Sequence, residues 1–262
     1  MSVIRLSTDQ SSSLDTNTPQ LRQTFFISDL HLDPARQDTI ELSLRFFAHA
    51  KGAQALFIIG DLFEYWLGDD AADPRLTSVY EAIGELSANG TAVHLMHGNR
   101  DFLLGAQFAS RVGAQLHIDD HIEVDFGNAR FSLLHGDTLC TDDVDYLQLR
   151  GMLRNPKWQK EFLALSIEER IAKAQDLREQ SREAVSTKVA GIMDVNEDAV
   201  DAHCKQCPND CLIHGHTHRP YDHVLSTDTP TTARRLVLGD WKSDHAMIAR
   251  FDGEQLLFER YS

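Results

Sequence analysis

The sequence has no long apolar run, little cysteine and no excess of positive charge. Its 262 residues contain no stretch approaching the roughly 18 consecutive apolar residues that a membrane-spanning helix needs. Residues 1–20 also lack the apolar core of a secretory signal, so we expect a cytoplasmic protein. A hydrophobic content of 42% with 25% charged residues is typical of a globular chain, long enough here for one large α/β domain.

The acidic balance of the chain limits the partners it can have. A formal net charge of −15 argues against nucleic acid or an anionic membrane as the main target. The charge is unevenly spread, because residues 150–188 contain nine Lys or Arg against six Asp or Glu, a local charge of +3. We expect no nucleic-acid partner, and a nuclease activity is disfavoured.

The four cysteines do not form a convincing disulfide set in a chain without a secretory signal. Cys204, Cys207 and Cys211, with His203 beside them, have some of the character of a zinc cluster, but a partner C-x₂-C pair is missing. Bound zinc and reduced thiols both remain open from the sequence.

Polar side chains follow five apolar runs, at the point where each run ends. The run Leu56–Ile59 is predicted to be a strand buried on both faces, and Gly60 lets the chain turn to present Asp61. The other four runs lead to Asp29 and His31, to Asn99, to His135, and to His214, His216 and His218. Because open α/β sheets bind ligands at the carboxyl ends of their strands, we expect these side chains to share one site.

These residues offer carboxylate, imidazole and amide oxygen ligands, without a thiolate. Such a set suits divalent ions such as Mn²⁺, Fe²⁺ or Zn²⁺. Two ions about 3.5–4 Å apart need a bridging ligand, which a carboxylate with two oxygens provides best, so Asp61 is our candidate bridge. Any one of these residues alone is more often a helix cap or a satisfied polar group, and only their joint order favours a metal centre.

Five short blocks carry a resemblance to a known family. They are Asp29–His31 (D-x-H), Gly60–Asp61 (G-D), Gly98–Asp101 (G-N-x-D), His135–Asp137 (H-G-D) and Gly215–His218 (G-H-T-H). Together they resemble the signature blocks of the calcineurin-like metallophosphoesterases, over roughly Thr24 to the carboxyl terminus. Arg100, where the superfamily usually has His, and segments 135–143 and 213–220 further resemble the diphosphatases that act on UDP-2,3-diacylglucosamine in lipid A biosynthesis.

The resemblance implies an α/β fold of the metallophosphoesterase type, a two-sheet β-sandwich flanked by helices, with a helical insertion as a lid over the active site. We expect residues 1–23 to be a flexible tail, 24–262 to be the domain, and about 142–207 to be the insertion. Helix starts are predicted at Asn155-Pro156, at the Ser166/Glu169 capping box and at Asn196. Predicted strands at 235–238, 247–251 and 256–260 close the second sheet.

The resemblance also implies two Mn²⁺ ions. One would be bound by Asp29, His31, Asp61 and His218, and the other by Asp61, Asn99, His135 and His216. The expected catalytic residues are Asp61, Asn99, Arg100 and His135. Arg100 cannot serve as a general acid near neutral pH, so its expected role is charge stabilisation. A surface Arg100 paired with Asp101 is the alternative.

The activity implied by the resemblance is attack of water at the α-phosphorus of UDP-2,3-diacylglucosamine, giving UMP and 2,3-diacylglucosamine 1-phosphate (lipid X). A lipid substrate implies peripheral attachment to the cytoplasmic face of the inner membrane, and we expect a monomer. The expected substrate contacts are Asn99, Arg100, Asp143, Tyr146, Ser181, Val185, Lys188 and His216. Val185 is apolar where the resemblance implies a polar residue.

Two groups of apolar residues are each open to a packing or a substrate role. The first comprises Leu147, Met152, Leu153, Trp158, Phe162 and Leu163, which we expect both to pack the insertion on the core and to hold acyl chains. The second comprises Phe63, Tyr65 and Trp66, for which packing is favoured.

Two other functions compete with this hypothesis. One is a phosphoesterase of the same superfamily acting on another nucleotide or phosphodiester, which Arg100 and the basic insertion disfavour. The other is a scaffold of the same fold without catalysis, which predicts missing metal ligands, whereas every ligand position is filled here.

Overall fold

The computed structural model describes residues 2–6, 23–186, 194–225 and 234–262, except the side chains of 180–186. The strands are β1 Ser2–Arg5, β2 Thr24–Ile27, β3 Ala55–Ile59, β4 Ala92–Met96, β5 Gln115–His117, β6 His121–Asp125, β7 Arg130–Leu134, β8 Cys211–His214, β9 Tyr221–Val224, β10 Arg234–Val237, β11 Ala246–Phe251 and β12 Leu256–Tyr261. The α-helices are α1 Gln37–His49, α2 Thr77–Ala88, α3 Ala106–Arg111, α4 Val144–Leu153, α5 Pro156–Leu163, α6 Ile167–Ser186 and α7 Glu197–Gln206.

The described strands form two six-stranded mixed sheets. The first has the order β12-β11-β2-β3-β4-β5, in which β2 to β5 are parallel. The second has the order β1-β6-β7-β8-β10-β9, with β7, β8 and β10 parallel. The predicted two-sheet sandwich flanked by helices is therefore confirmed.

The core follows from the two-residue period of the strands. Along β3, Leu56 and Ile58 face helices α1 and α2, whereas Phe57 and Ile59 face the second sheet. Both sets are buried, which is why the run reads as continuously apolar. The layers of the molecule are helices, first sheet, second sheet, and α7 packed on the outer face of the second sheet.

Two expectations about the strands are wrong. Residues Ser2–Arg5 form β1, paired in parallel with β6, so the predicted flexible tail does not hold for them; residues 7–22 lie outside the described part of the chain. Strands β11 and β12 join the edge of the first sheet beside β2, and only β10 of the last three joins the second sheet. The sequence also gave no sign of β9. Strand patterns indicate which residues are buried, but not which sheet a strand pairs with.

The described part of the segment between Val144 and Gln206 contains helices α4 to α7 joined by short connections, and no strand. The three predicted helix starts are confirmed: Asn155 and Asn196 accept hydrogen bonds as N-caps, and Ser166 and Glu169 form a reciprocal capping box. Within the described residues, none of the helices combines the length and apolar character needed to cross a bilayer.

Candidate metal centre

The predicted ligands lie at one end of the sandwich. Asp29, Asp61 and Asn99 follow the parallel strands β2, β3 and β4, and His135, His216 and His218 follow the parallel strands β7 and β8. Because the carboxyl ends of these strands meet at the same edge, residues up to 187 positions apart are brought within hydrogen-bonding distance.

The backbone at this edge is strained. Among the described non-glycine residues, positive φ angles occur at Asp29, His31, Asp61, His216, His218 and Asp240. Five of these six are predicted metal ligands. Left-handed backbone costs an ordinary residue of order 1 kcal/mol or more and persists where the surroundings require it, commonly at functional sites.

Asp61 is held by a buried carboxylate that the sequence analysis did not assign to the site. Asp101 is fully buried and accepts hydrogen bonds from the backbone N–H groups of Asp61 (3.2 Å), Leu62 (2.8 Å) and Gly98 (2.9 Å). Burial and the neighbouring Asp61 charge raise the pKa of Asp101. Asp101 thus positions the turns that carry Asp61 and Asn99.

Two glycines make room for the carboxylates. A Cβ atom at Gly98 would lie 2.0 Å from Asp61 Oδ1, and one at Gly215 would lie 2.0 Å from Asp29 Oδ2. Asp29 also accepts the backbone N–H of His216 at 3.0 Å, which ties the end of β2 to the loop after β8. The glycines of the signature blocks are therefore required by close approach.

His135 presents one defined nitrogen to the site. Its Nδ1 lies 3.0 Å from the carbonyl oxygen of Ile59, to which it donates, so Nε2 faces the other ligands. That Nε2 lies 2.9 Å from Asn99 Oδ1, and the Nδ1 of His216 lies 2.9 Å from the same oxygen. Asn99, His135 and His216 therefore converge on one position.

The second group converges beside the first. The Nε2 atoms of His31 and His218 are 3.1 Å apart, and both rings face Asp29. Asp61 lies between the groups, because its Oδ2 is 3.6 Å from Nε2 of His31 and 3.6 Å from Nε2 of His135. Its Oδ1 is occupied by the backbone N–H of Arg100 at 2.8 Å, which leaves Oδ2 to face both groups.

The convergence of these acceptors shifts the pKa values of the histidines at the site. Burial opposes the charged form of His135, but the carboxylates of Asp61, Asp29 and Asp137 outweigh it and raise the pKa of His135 to about 9. Burial and the charge of His135 lower the pKa of His216 to about 4. The acceptors around His135 thus attract a cation, which is a proton when no metal is bound.

The residues present fit a divalent metal. Two overlapping sets, Asp29/His31/His218 and Asp29/Asp61/His135, have their ligand atoms within 4.8 Å of one another. Imidazole nitrogens and carboxylate oxygens that point at one another at these distances are acceptors without donors between them, and a cation satisfies them. The donor types suit Mn²⁺, Fe²⁺ or Zn²⁺.

Glu64 is a site residue that the sequence analysis missed. Its Oε2 lies 3.0 Å from Nδ1 of His31, and its other oxygen pairs with Arg178 of α6 and lies 3.8 Å from Arg100. Burial alone would raise the pKa of Glu64, but His31, Arg100 and Arg178 lower it to about 2. Glu64 holds the His31 ring as carboxylates commonly do for metal-binding histidines.

Glu64→Gln should weaken metal binding, because the amide no longer supplies the charge that holds the Nδ1 proton of His31. We expect the dissociation constant for Mn²⁺ to rise about 10- to 100-fold. Isothermal titration of metal-free protein measures it. Glu85→Gln, which removes only an exposed partner of Lys51, is the control and should bind as the wild type does. Equal affinities of wild type and Glu64→Gln would contradict this role for Glu64.

Arg100 does not form the surface pair proposed as an alternative, because Asp101 is buried and engaged by backbone N–H groups. The Arg100 guanidinium instead lies near Glu64, where it lines two cavities. It is thus available to a ligand beside the metal centre.

The two cavities meet at Glu64 and Arg100. One, of about 330 Å³, is polar and includes Arg36, Asp240 and Lys242 beside Asp29 and the two histidines His31 and His218. The other, of about 440 Å³, is a largely apolar groove below α4, α5 and α6. Its apolar lining comprises Tyr65, Trp66, Leu67, Phe102, Leu103, Leu149, Leu153, Trp158, Phe162, Ala174 and Leu177.

Some apolar residues of the insertion pack on the core, some line the groove, and some do both. Trp158 and Phe162 pack on the main core and also line the groove, and Leu153 lines it as well. Of the others, Met152 and Leu163 are exposed. In the loop after β3, Phe63 is core, Tyr65 is exposed at the groove, and Trp66 contributes to both.

The structure describes only some of the predicted substrate contacts. Asp143 caps α4 by accepting the backbone N–H of Tyr146, and the Tyr146 hydroxyl donates to Asp137 at 2.6 Å; both residues line the groove. The side chains of Ser181 and Val185, and all of Lys188, lie outside the described residues. Their predicted contacts stay predictions.

Basic residues fix the insertion to the site. Arg154, the C-cap of α4, donates to the carbonyl oxygen of Gly98 at 2.9 Å. In α6, the buried Arg170 forms two 2.6 Å bonds with the carboxylate of Asp70. The excess of positive charge in the insertion was the only sequence signal for these contacts, whereas nothing marked Glu64 or Asp240.

The chain is similar to proteins of known family. The sequence profile of the family described as calcineurin-like phosphoesterase matches residues 23–220. A protein of Chromohalobacter salexigens named UDP-2,3-diacylglucosamine hydrolase is 42% identical over 232 residues, which cover 88% of this chain and 94% of that protein. Proteins with the same name from Bordetella parapertussis and Stenotrophomonas maltophilia are 47% and 44% identical, covering 84% and 86% of this chain and 85% and 93% of theirs.

Proposed function

The chain belongs to the calcineurin-like phosphoesterase family, and from this premise we propose that it hydrolyses UDP-2,3-diacylglucosamine in lipid A biosynthesis. Water attacks the α-phosphorus, the pyrophosphate bond breaks, and UMP and 2,3-diacylglucosamine 1-phosphate (lipid X) leave. The names of relatives 42–47% identical over most of the chain support this substrate. The observation that carries the proposal is an apolar groove that opens beside a metal centre.

The family binds divalent metal, and two Mn²⁺ ions per chain are the finer proposal. Asp29, His31, Asp61 and His218 would hold one ion and Asp61, Asn99, His135 and His216 the other. When bound, such ions activate a water molecule and neutralise charge on the phosphate oxygens. The equal distances from Asp61 Oδ2 to His31 and His135 support a bridging carboxylate.

Arg100 binds and orients the pyrophosphate. Its guanidinium is at the junction of the two cavities, beside the ligand Asn99, and offers two parallel N–H groups to phosphate oxygens. Glu64 limits the positions of this side chain from the opposite side. Charge that develops on the phosphorus oxygens is thereby stabilised by a fixed donor.

The two cavities divide the substrate between them. The polar cavity, with Arg36 and Lys242, receives the nucleotide, and the groove receives the acyl chains. A volume of about 440 Å³ lies within the range of small-molecule binding pockets, and the lining is largely apolar. Asp143, Tyr146 and His216 line the side of the groove next to the metals and would contact the glucosamine or its phosphate.

The helical insertion, about residues 142–207, acts as the lid in this proposal. Helix α6 contributes Ala174 and Leu177 to the groove, and Arg178 joins it to Glu64. Further along the chain we propose that Ser181, Val185 and Lys188 contact the substrate, although their side chains lie outside the described residues. A monomer working at the cytoplasmic face of the inner membrane would meet a lipid substrate there.

The test is release of UMP from UDP-2,3-diacylglucosamine by Mn²⁺-loaded protein in ¹⁸O-labelled water. UDP-N-acetylglucosamine and bis(p-nitrophenyl) phosphate serve as comparison substrates. Fast release from the acylated substrate alone, with label in UMP, is the expected result. Activity only on the diester would support a phosphodiester hydrolase and exclude the lipid substrate. Label in the sugar phosphate would show that water attacks the β-phosphorus.

Leu153→Asp should raise the KM for the acylated substrate, because it puts a charge into the apolar groove. Loss of one buried apolar contact and solvation of the new carboxylate correspond to about 10-fold or more in KM. Met152→Asp is the control, since Met152 is the exposed neighbour that does not line the groove. Both variants should hydrolyse bis(p-nitrophenyl) phosphate as the wild type does. Equal KM values for the two variants would show that the acyl chain does not bind in this groove.

A further inference from the structure

A second cluster of possible metal ligands lies outside the centre described above. His121 begins β6, His203 is in α7, and Cys207 follows the end of α7. One ligand atom from each lies within 4.8 Å of the others. We propose that this cluster is a structural Zn²⁺ site that ties α7, the last helix of the insertion, to the outer face of the second sheet.

The local structure brings the donors together. His203 and Cys207 are four residues apart on α7 and its C-cap, so they share one face of the helix. On β6, His121 and Glu123 are two residues apart and point to the same side of the sheet. Ser132 of β7 is the partner of Glu123 in the register, so it faces α7 beside them.

The side chains already converge. Ser132 Oγ lies 2.8 Å from Nε2 of His121 and 2.8 Å from Nε2 of His203, and Cys207 Sγ lies 4.0 Å from Nδ1 of His121. The two Nε2 atoms thus face one hydroxyl, and Cys207 lies on the Nδ1 side of His121, so a bound ion would use one of the two ring nitrogens of His121. In a tetrahedral zinc site, neighbouring ligand atoms are separated by similar distances, since Zn–N is about 2.0–2.1 Å and Zn–S about 2.3 Å.

Glu123 or Ser132 can complete the site. The Glu123 side chain is 9% exposed and makes no side-chain hydrogen bond within the described part of the chain. Burial and the neighbouring His121 lower the pKa of His203 to about 4. Burial raises the pKa of Cys207. The charge of Glu123 acts to raise the pKa of both groups, as expected of a carboxylate that faces them. A nearly buried carboxylate is stabilised when it is paired with a cation.

The ligand types separate this site from the catalytic centre. Two imidazoles with a thiolate favour Zn²⁺ over Mn²⁺, whereas the catalytic ligands contain no sulfur. The cluster also differs from the group of cysteines noted in the sequence. Cys204 packs in the apolar cluster between α7 and the second sheet, and Cys211 is buried in β8, so of the three only Cys207 contributes.

Co²⁺ titration of the full-length, chelator-treated protein tests the site, because a thiolate ligand gives Co²⁺ a near-ultraviolet charge-transfer band that carboxylates and imidazoles do not give. We expect this band to appear within one equivalent above catalytic loading in the wild type, and to appear also in Asp61→Ala, which loses the catalytic bridge. Cys207→Ser should lose the band, and Cys204→Ser should keep it. Added Zn²⁺ should abolish the band by displacement, whereas Mn²⁺ should not.

The controls keep the outcome decisive. Circular dichroism establishes that each variant is folded, and His203→Gln, which leaves all cysteines in place, should weaken Co²⁺ binding at least about tenfold if Cys207→Ser is not folded. Either of two results would overturn the proposal. One is that the wild type shows no band at one equivalent above catalytic loading. The other is that the band survives in both Cys207→Ser and His203→Gln.

Discussion

Asp61→Ala should abolish turnover and lower the occupancy of both proposed metal sites. The Oδ2 atom of Asp61 is 3.6 Å from a ligand nitrogen of each group, so its removal affects both groups at once. Loss of several kcal/mol of charge stabilisation corresponds to a fall in kcat of more than about a thousandfold. No other carboxylate among the described residues is equally placed between His31 and His135.

Metal content and kcat, measured on the same preparation, separate this explanation from simple unfolding. Asp201→Ala, an exposed change on α7, is the control and should keep both. Removing Asp61 also removes the acceptor for the Arg100 backbone N–H, so the fold of the variant must be checked by circular dichroism. Equal metal content in Asp61→Ala and wild type would remove Asp61 from the bridging role.

Arg100→Ala should lower kcat by about 10²- to 10³-fold while the metal content stays unchanged. Among the described residues, the Arg100 guanidinium reaches the proposed metal ligands only through Glu64, so we expect metal binding not to depend on it. Loss of one fixed donor to developing negative charge has an effect of this size. Arg100→Lys should recover part of the rate, because it restores charge but not the two-pronged geometry.

The control for Arg100 is Arg75→Ala, which removes an exposed arginine that pairs with Asp73 and lines neither cavity. Steady-state kinetics on the acylated substrate and on bis(p-nitrophenyl) phosphate measure the effect. A loss of metal in Arg100→Ala would show that Arg100 supports the centre rather than the substrate, and an unchanged kcat would exclude it from catalysis.

A comparison of Glu64→Gln with Arg100→Ala distinguishes a role in metal binding from a role in catalysis for two neighbouring side chains. Glu64 contacts the ligand His31 and should act on metal affinity, whereas Arg100 should act on kcat. Because Arg178 of α6 pairs with Glu64, Glu64→Gln also weakens one of the contacts between the insertion and the site.

The strand ends and the candidate ligands beside them could be predicted from local sequence patterns. Apolar runs followed by Gly and a polar residue are local patterns, and parallel strands place their carboxyl ends together without further information. The helix starts at Asn155, Ser166 and Asn196 were equally readable, because an N-cap bonds only to residues two or three positions away.

Contacts between residues far apart in the sequence could not be predicted and are seen only in the tertiary structure. Strands β11 and β12 join the first sheet rather than the second, Asp101 holds the Asp61 turn, and Glu64 joins His31 to Arg178. The same is true of the cluster of His121, His203 and Cys207, whose members come from a strand and a helix more than 80 residues apart. An alternating pattern records how deeply a residue is buried, but the partner that covers it is chosen by the packing of the whole chain.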